Sequence, residues 1–384
     1  MNREFTWLEI SRGALRHNAG TFRALIDRPC RLMGVVKSNA YGHGLAPVVK
    51  SLNGQVDWFG VANLDEAIEL RSIDKTTPVL VLSYYQPDRW KEAVAKNIDL
   101  PITSLQQLTV LSRLARGGRR KVRCHIKLDV GTSRIGLLGT EVDQAIKLFK
   151  KTNELNLVGI FSHFADAENP DQKFTTIQNT LFIKYCEKIE HSLGPVRLKH
   201  IACTAAVLAD KTTHHDMVRV GIGMYGIWPD EALRTKIVGR SDIKLTPALA
   251  WKTRLLMTKN LPSGTTIGYG RTVKLKRAAR IGVLPIGYNE GYDRRFSNKA
   301  FVIIRGQRAP IIGRVCMNLS MIDLTSVKKA SADDAVLLLG TEHGSARARG
   351  RGVLCPELSA SLIDTIPYEL TTRISNTLPR NIVA

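Results

Sequence analysis

Three features of this 384-residue sequence predict an N-terminal (β/α)8 barrel of the TIM type followed by a C-terminal mainly-β domain. Short apolar strands alternate with amphipathic segments over about the first 225 residues. Polar residues able to do chemistry collect where the later strands end, as barrel enzymes require. Beyond residue 242 helical periodicity nearly disappears, and strand-like runs are broken by turn signals.

The barrel strands are read as RLMGVV (31–36), DWFGVA (57–62), TPVLVLS (77–83) and NIDLPIT (97–103). KVRCHIKLD (121–129), LVGIFSH (157–163), RLKHIA (197–202) and DMVRVG (216–221) complete the eight. LDEAIELRSI (64–73), LQQLTVLSRLA (105–115), EVDQAIKLFKK (141–151) and TTIQNTLFIKYCEKIEHSL (175–193) read as crossover helices. IWPDEALRTKIVGRSD (227–242) then leads into ALAWKTRLLMTKNL, TTIGYGRTVKL, AARIGVLPIGY and the long run from Lys299 to Leu324. The expected domains are 1–242, the barrel, and 243–384, the β-domain.

Composition excludes several classes. A content of 44% hydrophobic and 23% charged residues is that of a soluble globular protein. The start, MNREFTWLEI, carries an early glutamate and no apolar core of a secretory signal. No apolar run reaches the roughly 18–20 residues that span a membrane. Six scattered cysteines form neither a C-x-x-C pair nor a zinc spacing, so no metal site and a reducing, cytoplasmic setting are expected. The net charge of +22 gathers at RLARGGRRKVR (113–123), KLKRAAR (274–280) and ARARGRG (346–352). These clusters are short and lack interleaved aromatics, which favours a solvated basic surface or attraction of an anionic ligand over nucleic-acid binding.

Chemistry concentrates at strand ends. Lys37 closes the first barrel strand before the turn-rich SNAYGHG, where it is either a solvated lysine or a covalent anchor. Lys127, Asp129 and Arg134 follow the fifth strand, His163 ends the sixth, HIACTAA caps the seventh and VRVGIGMYG extends the eighth. The gathering of polar groups at one end favours the anchor.

VVKSNAYGHG, HIKLDVGTSRIG, GIFSHFA, HIACTAA, VRVGIGMYG, IGYGRT, LPIGYNEGYDRR, GRVCMN and PYEL occur in this order. Together they closely resemble bacterial alanine racemase, a pyridoxal-phosphate enzyme, from Trp7 to Arg380. The resemblance implies a homodimer with shared active sites, interconverting L- and D-alanine to supply peptidoglycan. Lys37 would hold the cofactor as a Schiff base and act as one proton-transfer base. Tyr269, from the partner subunit, would be the other; a free tyrosine titrates at about pH 10, so cationic neighbours must help it. Arg219 would face the pyridine nitrogen, oriented by His200, and a guanidinium keeps its proton at neutral pH. Gly221 and Ile222, with the hydroxyls of Tyr41, Thr204 and Tyr368, would receive the phosphate. Arg134 and the Met317 N–H of the partner would take the substrate carboxylate. His163 and Tyr288 match positions near Tyr269, and the lysine matching Lys127 is often carbamylated in the family. Without the resemblance, Tyr269 reads as a hairpin tyrosine and His163 and His200 as satisfied core histidines. His214 and His215 read as solvated loop residues.

The chain departs from the family at Cys203, where an asparagine amide is usual, at Asn318 for aspartate and at Glu290 for aspartate. DVGTSR (129–134) and ISNTLPR (374–380) are also atypical. These bear on cofactor tuning and side-chain preference. Other readings are a racemase of serine or basic amino acids, a fold-related decarboxylase, which Arg219 opposes, and a non-catalytic pyridoxal-phosphate carrier, which the β-domain opposes.

Overall fold

The computed structural model describes residues 4–239, 242–341 and 353–384. The basic segment at 346–352 lies outside the described residues, as do positions 240–241 just before the expected domain boundary.

The first strand, β1 (Thr6–Ser11), alternates buried and half-buried residues and leads straight into a helix, Arg12–Leu25. The Ser11 hydroxyl starts that helix by accepting from the Ala14 N–H at 3.1 Å. Eight parallel strands follow: β2 (Arg31–Val35), β3 (Trp58–Asn63), β4 (Val79–Tyr84), β5 (Ile98–Ile102), β6 (Val122–Lys127), β7 (Leu155–Phe161), β8 (Leu198–His200) and β9 (Met217–Val220). Their order is sequential from β2 to β8, and β9 lies beside β2. The remaining seam is closed by the Asp216 N–H donating to Lys199 O and the Arg219 N–H to Ala202 O, both at 3.0 Å. A closed parallel barrel results, with every predicted strand present to within two residues at most ends.

Two of the crossover helices are started by a capping residue at the strand end. Asn63 accepts from the Glu66 N–H at 3.0 Å and Ser104 from the Gln107 N–H at 3.1 Å, which starts the helices Leu64–Ile73 and Leu105–Leu114 where the strands stop.

The second half builds a mixed sheet from β10 (Leu249–Arg254), β15 (Phe301–Ile304), β16 (Gln307–Pro310), β18 (Ala335–Thr341), β19 (Val353–Leu354) and β20 (Arg380–Val383). β1 inserts between β10, antiparallel, and β20, parallel. The chain's first strand therefore belongs to the sheet of its second half, which local sequence could not announce. β11 (Met257–Leu261), β14 (Ala279–Leu284) and β17 (Ser320–Asp323) form a smaller sheet, and β12 (Thr266–Ile267) with β13 (Val273–Lys274) a hairpin. Among the described residues no helix is long and apolar enough to cross a membrane.

The least regular stretch follows Lys37. Ser38, Asn39, Ala40 and Tyr41 have φ of 55, 52, 53 and 53°, one turn of left-handed helix built without glycine. Each such residue costs about 1–2 kcal/mol, so surrounding contacts must hold the turn. Glu66 accepts from the Ser38 and Ala62 N–H groups at 2.8 Å each, and the Asn39 side chain accepts from the Leu45 N–H at 2.7 Å. Gly42, at φ 83°, lies so close to the helix Pro367–Thr372 that a Cβ there would sit 1.9 Å from Thr371 O. Gly42→Ala is therefore expected to destabilise the protein by about 3 kcal/mol, readable as a lower urea midpoint at unchanged slope.

Candidate active site

A cavity of about 700 Å³ opens at the C-terminal ends of the barrel strands. Lys37, Tyr41, Lys127, Arg134, His163, Thr204, Arg219, Gly221, Ile222 and Tyr368 all line it, beside Ser162, Cys203, Glu168 and Glu369. Every one of these positions singled out from the barrel motifs thus meets in one place. Tyr368 reaches it from the helix Pro367–Thr372, its ring 6.1 Å from that of Tyr41.

Arg219 is the most constrained group. Its Nη1 donates to His200 Nδ1 at 3.0 Å and His200 O at 2.9 Å. Its Nη2 donates to Ser162 O at 2.6 Å, Ile201 O at 3.0 Å and His163 Nδ1 at 3.3 Å. The Nε–H makes no hydrogen bond among the described residues and is left for a ligand. Burial lowers this guanidinium to about 10, still a cation at neutral pH. His200 is fully buried and does not line the cavity; it stands behind Arg219 as its hydrogen-bond partner. Burial first, and Arg219 second, hold His163 and His200 well below the usual imidazole range, so both are neutral.

The two lysines are tuned likewise. Burial, then Arg134, lowers the Lys37 amine. Burial, followed by Arg219, Arg134 and Lys37, lowers Lys127 to about 7. Lys127 Nζ donates to Leu82 O at 3.2 Å and lies 5.3 Å from the Phe161 ring centre. Four basic side chains face two carboxylates across the cavity, an environment built for an anionic ligand.

The cradle at the far wall fits a phosphate-bearing planar group. Thr204 Oγ1 accepts from the Gly221 N–H at 3.2 Å and the Gly223 N–H at 3.4 Å. A Cβ at Gly221 would lie 2.4 Å from the Tyr41 hydroxyl, so only glycine lets that hydroxyl approach the backbone. Cys203 brings a thiol where the family pattern has an amide; burial, then Glu168, raises it, keeping it protonated and neutral.

Tyr269, Tyr288 and Met317 lie elsewhere, around a second hollow of about 420 Å³ with Arg314 and Asn318. Tyr269 sits between Gly268 and Gly270, both at positive φ, and is 73% exposed; Met317 is 57% exposed. No hydrogen bond among the described residues uses the Met317 N–H. Two departures from the family pattern meet here: Asn318 donates to Glu290 Oε1 at 2.8 Å, an amide supporting the longer carboxylate. Glu290 also accepts from the Gly287 N–H at 2.8 Å, fixing the Tyr288 turn.

The expectation for the His214–His215 pair is corrected. His214 is buried, its Nε2 3.3 Å from Val207 O, and His215 Nε2 lies 2.8 Å from Asn179 Oδ1; both serve packing. Sequence reasoning missed Glu66, whose capping-like position at the start of a helix was the available signal, and the buried Asp99–His125 pair, for which local sequence carried none. The basic segment at 113–123 runs from the end of the helix Leu105–Leu114 into the start of β6, at the barrel end opposite the cavity. Among the described residues no cluster suits a metal ion.

Family models described as alanine racemase N-terminal domain and alanine racemase C-terminal domain match residues 10–229 and 248–382. The chain is 36% identical over 380 residues to alanine racemase 2 of Oceanobacillus iheyensis, covering 98% of this chain and 92% of that one. It is 33% identical over 390 residues to the alanine racemase of Desulfosudis oleivorans, covering 99% and 97%. The crystal structure of the Bacillus anthracis alanine racemase with bound L-Ala-P superimposes with a TM-score of 0.91 at 29% identity, over 100% of this chain and 96% of that one. That of the Streptomyces lavendulae enzyme gives 0.90 at 28% identity, over 100% and 98%.

Proposed function

We propose, on the premise that this chain belongs to the alanine racemase family, that it interconverts L- and D-alanine with pyridoxal phosphate by moving the Cα proton between two bases. The observation that carries this reading is a cavity holding a lysine of lowered basicity, an arginine fixed through both terminal nitrogens and a glycine–hydroxyl cradle. Residues 1–242 act as the cofactor-binding unit, joined by Tyr368, and the rest of 243–384 as the unit that completes the site of a second copy.

Bound in the cavity, pyridoxal phosphate supplies an electron sink for the pair left at Cα when its proton departs. Lys37 would hold the cofactor and, when its amine is free, would take or return a proton at one face of Cα. Tyr269 of the partner subunit serves the other face through its phenol oxygen. Arg219 would offer its Nε–H to the ring nitrogen as a hydrogen bond without transferring the proton, which would leave that nitrogen an acceptor, weaken the sink and disfavour transamination. Tyr41, Thr204, Gly221, Ile222 and Tyr368 would bind the phosphate, and Arg134 with the partner subunit's Met317 N–H would orient the substrate carboxylate. The exposed Tyr269, Tyr288, Met317 and Leu319 form an apolar patch suited to burial against a second copy. D-Alanine made in this way would supply peptidoglycan, and six free cysteines agree with a cytoplasmic enzyme.

Lys127 is suited to the carbamate seen in the family, because an amine lowered to about 7 is substantially neutral at physiological pH and lies among cations that favour a new negative charge. Labelled bicarbonate is expected to give a carbamate 13C signal that Lys127→Ala removes. The signal weakens as pH falls below about 7, where the amine protonates. The KM for alanine is expected to rise in that variant, because a carbamate at Lys127 would set a negative charge near Arg134.

The decisive test incubates protein, pyridoxal phosphate and L-alanine in D2O, with serine and lysine in parallel. Deuterated D-alanine forming fastest supports the proposal. Faster exchange with lysine would favour a basic substrate, a reading for which the Glu168 carboxylate in the cavity speaks. Bound cofactor without exchange would leave a carrier.

A further inference from the structure

The interior of a parallel barrel is ordinarily filled by branched apolar side chains in layers. Here a line of polar groups crosses it. Asp99 on β5, His125 on β6, His200 on β8 and Arg219 on β9 are each at most 5% exposed. His125 Nε2 lies 3.1 Å from Asp99 Oδ2, His125 Nδ1 lies 3.3 Å from His200 Nε2, and Arg219 Nη1 lies 3.0 Å from His200 Nδ1. Arg123 closes the far end, donating to Asp99 through Nε at 2.6 Å and Nη2 at 3.0 Å.

Resting on the racemase reading, we propose that Asp99 and His125 are positioning residues for Arg219, acting by fixing the tautomer of His200. The order of donors follows from Arg219, which can only donate. His200 Nδ1 must then be bare, so neutral His200 carries its proton on Nε2 and donates to His125. His125 Nδ1 is in turn bare, and its Nε2–H donates to Asp99. Asp99, a carboxylate that can only accept, demands the same direction from the opposite end, so the two ends together hold the line in one order. Reversing it would point an imidazole N–H at the Arg219 guanidinium and turn that group away from the cavity.

The surrounding strands are shaped for this line. A Cβ at Gly159 on β7 would lie 2.3 Å from His125 Nδ1, so the glycine makes room for that ring. The β6–β7 register shifts between Cys124 and His125. Phe161 stacks on His200 with ring centres 5.2 Å apart and planes 7° from parallel, and Trp58 meets His125 edge-on at 5.8 Å. A buried polar line with each link satisfied is rigid, whereas one with a gap is costly.

Neutron diffraction from deuterated crystals, with and without pyridoxal phosphate, reads the line directly. Deuterium on Nε2 and none on Nδ1 of both histidines is expected; deuterium on either Nδ1 overturns the proposal. Asp99→Asn keeps the shape and removes the charge that holds this end of the line. It is expected to lower kcat about tenfold, the effect of one hydrogen bond, with the KM for alanine within about twofold. Unchanged kcat in a folded Asp99→Asn protein would also overturn it. If that variant fails to fold, the deuterium positions in the unaltered protein still decide. Absence of racemisation by the unaltered protein would remove the racemase reading and leave the tautomers to be read independently.

Discussion

Lys37→Ala is expected to abolish racemisation, by at least about 10³-fold, together with the absorbance of covalently held pyridoxal phosphate. The fold is expected to survive, because the Lys37 side chain makes no hydrogen bond or ion pair among the described residues and only approaches the Tyr41 ring at 5.9 Å. Its removal also takes one of four basic groups out of a crowded cavity. The loss is chemical: no other amine stands at the mouth of β2, and Lys127 is tied to Leu82 O on the facing wall. Absorbance spectra of the reconstituted variant, a thermal melt and an alanine racemisation assay check the three parts separately. Retained covalent absorbance would show that another lysine holds the cofactor and would sink the assignment.

Tyr269→Ala is expected to keep the cofactor absorbance and to slow exchange unequally from the two enantiomers, with the larger loss, about 10²–10⁴-fold, from the one whose proton faces the tyrosine. Its exposure makes folding insensitive to the change. Mixing it with Lys37→Ala sharpens the test. In a two-fold dimer with shared sites, half of randomly paired molecules are mixed, and each mixed dimer has one site carrying both defects and one carrying neither. Activity should therefore return to about a quarter of the unaltered level. No recovery after verified subunit exchange would mean that both bases come from the same chain. Equal loss from L- and D-alanine would count against two bases.

The barrel was legible because its strands are short apolar runs separated by capped helices; LDEAIELRSI is a helix over the very residues its pattern marks. The strand-end residues followed from that reading, since a parallel barrel turns scattered sequence positions into one rim. What escaped notice depends on distant partners. TWLEIS alternates like a strand, yet its neighbours are residues 249–253 and 380–383. The left-handed turn at Ser38–Tyr41 uses residues that, Asn39 apart, have no preference for it, and rests on Glu66 and the closely packed Thr371. His125 looks like an ordinary strand residue until β5 and β8 bring Asp99 and His200 to it. His214 appeared solvated because two adjacent histidines in a polar loop carry no sign of the backbone that encloses one of them.

The position of β1 between β10 and β20 also governs how the chain must mature on the ribosome. Thr6–Ser11 leaves the exit tunnel early, yet its antiparallel partner begins at Leu249 and its parallel partner at Arg380. At about 5–20 residues per second, this alternating strand waits about 12–50 s for β10 with one face apolar and both edges open. During that interval it is a ready template for another nascent chain. Its placement lets a strand made far later, β20, cover one of its edges, so removal of Arg380–Val383 would expose that edge of β1.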